Sequence, residues 1–291
     1  MKERHYFMVG MPAGGKTSYI VRLCIQLIRR SNTMYKLVDG ELPDGLSNIK
    51  DQINKMTSIQ NIMRTFENAY YDIMLPLVDE TGEEVSLMIP DLSGEHYRKL
   101  VEERYIFRKI RDGLQQADEI LFFINVETME KEERLNYDER STASLIEESV
   151  QADEQDKEDM PVTKVAVPEK ATQSQVVELL QSLLWIIKKK TKIKFVVSAW
   201  DRVEKKTSVE KVTPEEYLKA ELPLLHQYMI SNRDILDYEV FGVSAQGAEY
   251  EDPNEMKKLQ EEDIEVSTLV KIVMPDGVED WDISRLLRKQ E

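Results

Sequence analysis

Short apolar runs separated by polar, turn-rich stretches set the rhythm of this chain. His5–Val9 (HYFMV) is a run of the length and composition of a buried strand. Gly10–Thr17 follows as a glycine-bearing loop. From Ser18 to Arg30 apolar side chains recur at Ile20, Val21, Leu23, Cys24, Leu27 and Ile28, which is a helical period. Residues 31–64 sustain no period and read as irregular, with LVDGELPDG as a turn-rich stretch. Tyr70–Val78 and Val85–Ile89 are strand-like, and DETGEE between them suits a hairpin turn. Glu95–Gln116 then reads as a helix and Glu119–Val126 (EILFFINV) as a strongly apolar strand.

The rhythm resumes near residue 174. Ser174–Lys190 is an amphipathic helix closing on lysines, which suit the negative end of a helix. Lys194–Ala199 is a strand. Thr213-Pro214-Glu215-Glu216 spells a capping box: threonine as cap, proline first in the helix and glutamate three positions on. That helix bends or breaks before Pro223. Tyr238–Ser244 is a strand, Glu251–Glu265 a charged loop or helix, and Asp282–Lys289 a short terminal helix. Such alternation predicts an α/β fold in three layers, a mostly parallel sheet covered on both faces, with one antiparallel hairpin strand. Ligands of such sheets sit at the carboxyl ends of the strands.

Charge changes the picture in one region. Residues 127–159 hold 13 acidic and 4 basic side chains, so −9 of the chain's net −16 lies there. With no strong apolar periodicity up to about residue 172, we read 127–172 as a solvated, partly disordered insertion. The expectation is one domain over 1–291, carrying this insertion and a short C-terminal extension. A net charge of −16 does not suit wholesale gripping of nucleic acid or an anionic membrane. No run reaches the roughly 18 apolar residues of a membrane span, and the N-terminus lacks the apolar stretch of a signal peptide. One cysteine, Cys24, excludes an intramolecular disulfide, and the three histidines are scattered. The expected setting is the cytoplasm.

The chemistry begins at Gly10-Met11-Pro12-Ala13-Gly14-Gly15-Lys16-Thr17, which fits G-x-x-x-x-G-K-[ST] between a strand and a helix. Glycines let backbone N–H groups turn inward around a phosphate, and the helix start at Ser18 adds its positive end. Lys16 can reach the β- and γ-phosphates, and the Thr17 hydroxyl can bind Mg²⁺.

Asp91-Leu92-Ser93-Gly94 follows the second hairpin strand as D-x-x-G. With the phosphate loop, this order resembles the Ras-like small GTPases and their translation-factor relatives. Their later motifs, N-K-x-D and S-A-K, correspond to Ser198-Ala199-Trp200-Asp201 and Ser244-Ala245-Gln246 here. The resemblance implies GTP or GDP as ligand, with Mg²⁺ held by Thr17, Asp91 and a switch threonine, Thr65 or the alternative Thr57. It implies that Gly94 donates its N–H to the γ-phosphate and that Asp201, with Ser244 and Ala245, reads guanine. Glu95 stands where those proteins place the glutamine that orients the attacking water. Asparagine and lysine of N-K-x-D are absent, and Trp200 or Arg202 is the expected replacement for the packing over the base. The divergent motifs and the acidic segment are also similar to the double-GTPases of bacterial conflict operons.

These residues predict a GTP-dependent switch with slow hydrolysis, acting on an unidentified protein effector or activator. Two other readings stay open. One is a P-loop kinase or ATPase acting on a small molecule, with Arg104, Arg108 and Arg111 as lid residues. The other is a scaffold that binds GTP without turnover.

Overall fold

A computed structural model describes residues 4–29, 33–38, 47–58, 72–90, 100–130, 172–206 and 212–289. In chain order the elements are β1 (Arg4–Gly10), α1 (Lys16–Ile28), β2 (Tyr35–Leu37), α2 (Ser47–Thr57), β3 (Asp72–Asp79) and β4 (Glu84–Pro90). Then come α3 (Arg108–Gln116), β5 (Glu119–Ile124), α4 (Gln173–Ile187), β6 (Thr191–Ser198) and α5 (Trp200–Lys206). The chain continues through α6 (Pro214–Glu221), α7 (Pro223–Ser231), β7 (Leu236–Ser244), α8 (Pro253–Glu261), β8 (Lys271–Val273) and β9 (Glu279–Asp280).

One sheet holds these strands in the order β2-β3-β4-β1-β5-β6-β7-β8-β9. From β4 to β7 neighbouring strands run parallel, and β3–β4 is the expected antiparallel hairpin. Asp79 closes its turn by accepting from the Thr81 N–H at 2.8 Å, the Thr81 hydroxyl at 2.7 Å and the Glu83 N–H at 2.9 Å. The sheet gains further antiparallel strands at both edges, β2 on one side and β8 and β9 on the other. With two or three residues each, these are too short to show an alternation in sequence.

Side chains alternate across the parallel strands. Phe7, Val9, Phe122, Phe195 and Val197 enter a core closed by α3, α4, α6 and α7. Tyr6, Met8, Leu121, Phe123 and Val196 enter the opposite one, closed by α1, α2 and the C-terminal segment. That is the expected three-layer α/β architecture. Cys24 is fully buried on α1, and burial pushes its thiol up to about 12. No described helix is long and apolar enough to cross a membrane.

Three readings need correction. Residues 31–64 are not irregular throughout: β2 and α2 lie within them, and α2 carries apolar Ile49, Ile53 and Met56 at helical spacing. The helix expected over 95–116 is interrupted. Residues 100–103 are helical, Arg104 turns left-handed at φ 56°, and α3 starts at Arg108. The break lets Ile106 and Phe107 pack on the same core as Leu100 and Val101. The terminal segment is a 3-10 turn over Ile283–Leu287 instead of an α-helix, capped by the Asp282 carboxylate on the Ser284 N–H at 3.0 Å.

That segment is part of the interior. Ile283, Leu286 and Leu287 are fully buried. Lys194 on β6, also buried, donates to the carbonyls of Leu286 at 2.9 Å and Arg288 at 2.6 Å, and pairs with Glu119 at 2.9 Å. The Leu287 carbonyl accepts from the Tyr6 hydroxyl at 2.6 Å and the Tyr35 hydroxyl at 2.8 Å. Burial pulls the Lys194 ammonium below its ordinary range, and the neighbouring Glu119 pushes it back up.

The capping box forms as read. Thr213 accepts from the Glu216 N–H at 3.3 Å, and the Glu216 carboxylate accepts from the Thr213 N–H at 2.9 Å. Thr213→Ala removes the cap and is expected to cost about 1 kcal/mol of stability in a urea titration. An unchanged midpoint would show that α6 is held by its packing alone.

Candidate functional site

The parallel register lines up the carboxyl ends of β1, β5, β6 and β7. Gly10 pairs with Phe123, Ile124 with Val197, and Ser198 with Val243. The residues just beyond these ends are the phosphate loop, Asn125, Ala199–Asp201 and Ser244–Gln246.

The loop is held from below. A Cβ on Gly10 would lie 2.5 Å from the Phe123 carbonyl oxygen, and one on Gly15 would lie 2.6 Å from Ser198. Gly15, at φ 91°, caps α1 with no side-chain acceptor on the helix N–H groups, and no acidic residue sits in the first turn. That leaves the positive helix end, with Thr17 and Ser18 in its first turn, facing outward as an anion cradle. Ala13 is exposed and left-handed at φ 56°. Lys16 curls over the loop and donates to the carbonyls of Gly10 at 2.6 Å and Met11 at 3.1 Å.

Two polar side chains tie the loop to the sheet, and neither was foreseen in that role. Ser198 Oγ donates to the Gly14 carbonyl at 2.9 Å, and Asn125 Nδ2 to the Ala13 carbonyl at 3.3 Å. Ser198 occupies the position of the N-K-x-D asparagine, which was the available signal. Beyond β6, Asp201 Oδ1 accepts from the Ser244 hydroxyl at 2.9 Å. The sheet thus brings Asp201 and Ser244 together, with the buried Ala245 next in the chain.

Trp200 does not serve as a cover for the base. It is 2% exposed, stacks edge-on against Tyr217 at 5.7 Å, and lies over Gly242, where a Cβ would approach it to 2.4 Å. Arg202 is engaged with Glu249. The arginines of the kinase reading form ion pairs: Arg104 with Glu178, and Arg108 and Arg111 with Asp112.

Asp91, Gly94, Glu95 and Thr65 lie outside the described residues. Thr57 ends α2 and is exposed. Among the described residues no group of three or more His, Cys, Asp or Glu side chains could hold a metal ion. The fit for Mg²⁺ rests on the loop itself. A hard hydroxyl oxygen at Thr17 stands beside a cradle that admits no Cβ at Gly10 or Gly15.

A family model described as Double-GTPase 1 matches residues 7–290. The chain belongs to that family. A Double-GTPase 1 chain is a GTP-binding protein of the GTPase type, so the ligand class expected from the motifs holds. No curated protein matches the sequence. Three solved structures are similar at low identity. A bacterial selenocysteine-specific elongation factor is 15% identical with a TM-score of 0.36, over 90% of this chain and 29% of its own length. The signal recognition particle receptor complex SRb-GTP/SRX from Chaetomium thermophilum is 12% identical with a TM-score of 0.38, over 86% of this chain and 94% of that one. The mammalian signal recognition particle receptor is 12% identical with a TM-score of 0.36, over 90% of this chain and 100% of that one.

Proposed function

We propose that this Double-GTPase 1 chain is a guanine-nucleotide switch that hydrolyses GTP slowly and passes its nucleotide state to a protein partner. The observation that carries the reading is the Asp201–Ser244 pair at the strand ends, next to the phosphate loop. A carboxylate there accepts from both the ring N–H and the 2-amino group of guanine, a pair of donors that adenine lacks.

In this reading the loop N–H groups and Lys16 hold the β- and γ-phosphates. Thr17, Asp91 and Thr65 provide oxygens to Mg²⁺, which when bound offsets the charge of the triphosphate. Gly94 donates to the γ-phosphate. Glu95 accepts a hydrogen bond from the water that attacks the γ-phosphorus as the bond to the β-phosphate oxygen breaks. Its negative charge also opposes the γ-phosphate, which is why turnover is slow. Order in the segment around Thr65 follows the γ-phosphate, and the partner reads that order.

The test is calorimetric titration with GTP, GDP, ATP and ADP in Mg²⁺, beside the Asp201→Asn variant. Guanine nucleotides should bind the native chain tightly. Asp201→Asn should weaken GDP by at least about a hundredfold, because a half-buried carboxylate pairing with two donors is lost. Tight ATP binding that ignores the substitution would overturn the reading. Phosphate release from GTP no faster than in Lys16→Ala would leave the scaffold reading in its place.

A further inference from the structure

We propose that Arg22 is a positioning residue for the base: from the helix that carries the phosphate loop, it holds the Ser244–Gln246 turn in the form that reads guanine. The inference rests on the nucleotide reading of Asp201 and deepens it.

Arg22 sits among the apolar positions of α1 and is 6% exposed. Its Nε donates to the Ala245 carbonyl at 2.7 Å. A terminal guanidinium nitrogen donates to the Tyr250 hydroxyl at 3.4 Å, and that hydroxyl donates to the Gln246 carbonyl at 3.0 Å. Two successive carbonyls of the turn are therefore held, one directly by Arg22 and one through Tyr250.

Burial pulls the guanidinium below its ordinary value, and among the described residues no carboxylate pairs with it. A buried cation without a counter-ion is unfavourable, and an apolar side chain would complete this helix face without that cost. What the charge supplies is a strong, directional hydrogen bond to a chosen carbonyl. Because the peptide is planar and trans, turning the Ala245 carbonyl toward α1 points the Gln246 N–H the opposite way. The Ser244 hydroxyl is engaged by Asp201 at the same turn. By fixing the turn, Arg22 also holds Ser244 where its hydroxyl keeps the Asp201 carboxylate aimed at the 2-amino group of guanine, so that a released turn misdirects Asp201.

The experiment compares GDP with IDP, which lacks the 2-amino group that Asp201 would accept from. In the native chain GDP should bind the tighter. Arg22→Met should weaken GDP about tenfold and shrink the GDP-to-IDP ratio, with Arg22→Lys between the two. A parallel loss for both nucleotides, with the ratio kept, would make Arg22 merely structural and overturn the proposal. So would unchanged affinities. If Arg22→Met does not fold, Tyr250→Phe carries the test, since it removes only the second link and should shift the ratio in the same direction by less. A native chain that binds GDP no tighter than ADP would instead overturn the reading of Asp201 itself.

Discussion

Gly15→Ala should abolish nucleotide binding and lower the stability of the fold by roughly 2–5 kcal/mol, summing backbone strain and overpacking. Both causes act at one residue. Its φ of 91° is a conformation an alanine adopts only under strain, and its new methyl would meet the Ser198 side chain at 2.6 Å. Ser198 cannot retreat without releasing the Gly14 carbonyl, which it holds at 2.9 Å. Neither collision partner is the flexible end of a long side chain. The companion variant is Ser198→Gly, which removes the obstructing atoms together with the tie to Gly14. In the double variant the steric part of the loss should disappear, so that the two effects sum to more than the measured total. Urea denaturation of the four proteins gives the coupling directly. Strict additivity would mean that the alanine is rejected for its φ alone.

The second large effect belongs to Lys194. Lys194→Met leaves Glu119 buried without its cation and strips the Leu286 and Arg288 carbonyls of their donor. Breaking a buried pair from one side costs about 3–5 kcal/mol. The C-terminal segment should loosen first, because its carbonyls lose donors while the sheet keeps its ladder. Limited trypsinolysis reads this out as faster cutting at Arg285 and Arg288. Removing both charges, in Lys194→Met with Glu119→Leu, should recover much of the stability but not the protection from trypsin. Protection regained in the double variant would show that Leu286, Leu287 and the tyrosines hold the segment unaided.

Much of this was legible because local chemistry and global fold agree. The phosphate loop announces itself by glycines whose Cβ atoms have no room. The hairpin and the capping box are written in adjacent residues, and their hydrogen bonds close over a few positions. What stayed hidden depends on partners distant in sequence. Trp200 looks like a candidate to cover a base until Gly242, on the neighbouring strand, opens a slot for its ring. Ser198 reads as a lost asparagine, yet it supplies the tie to the loop by reaching across to Gly14. Arg22 interrupts an apolar helix face, a visible anomaly whose meaning needs Ala245 in place. Lys194 continues the polar–apolar alternation Lys192-Ile193-Lys194-Phe195 and so reads as solvent-facing, yet it is buried for the sake of carbonyls more than ninety positions on. No window of sequence contains both members of these pairs.

The buried C-terminal segment also orders events during synthesis. A ribosome delivers the phosphate loop before strand β6. Strand β6, whose Ser198 supports that loop, emerges later with Lys194 still lacking its acceptors. Those acceptors, and the carbonyl that Tyr6 and Tyr35 share, arrive only with residues 286–288. The nascent chain therefore carries Tyr6 and Tyr35 without their shared acceptor until residue 287, and Lys194 without its two carbonyls for the stretch of about ninety residues that separates them. The phosphate loop is thus made well before the segment that completes the sheet behind it.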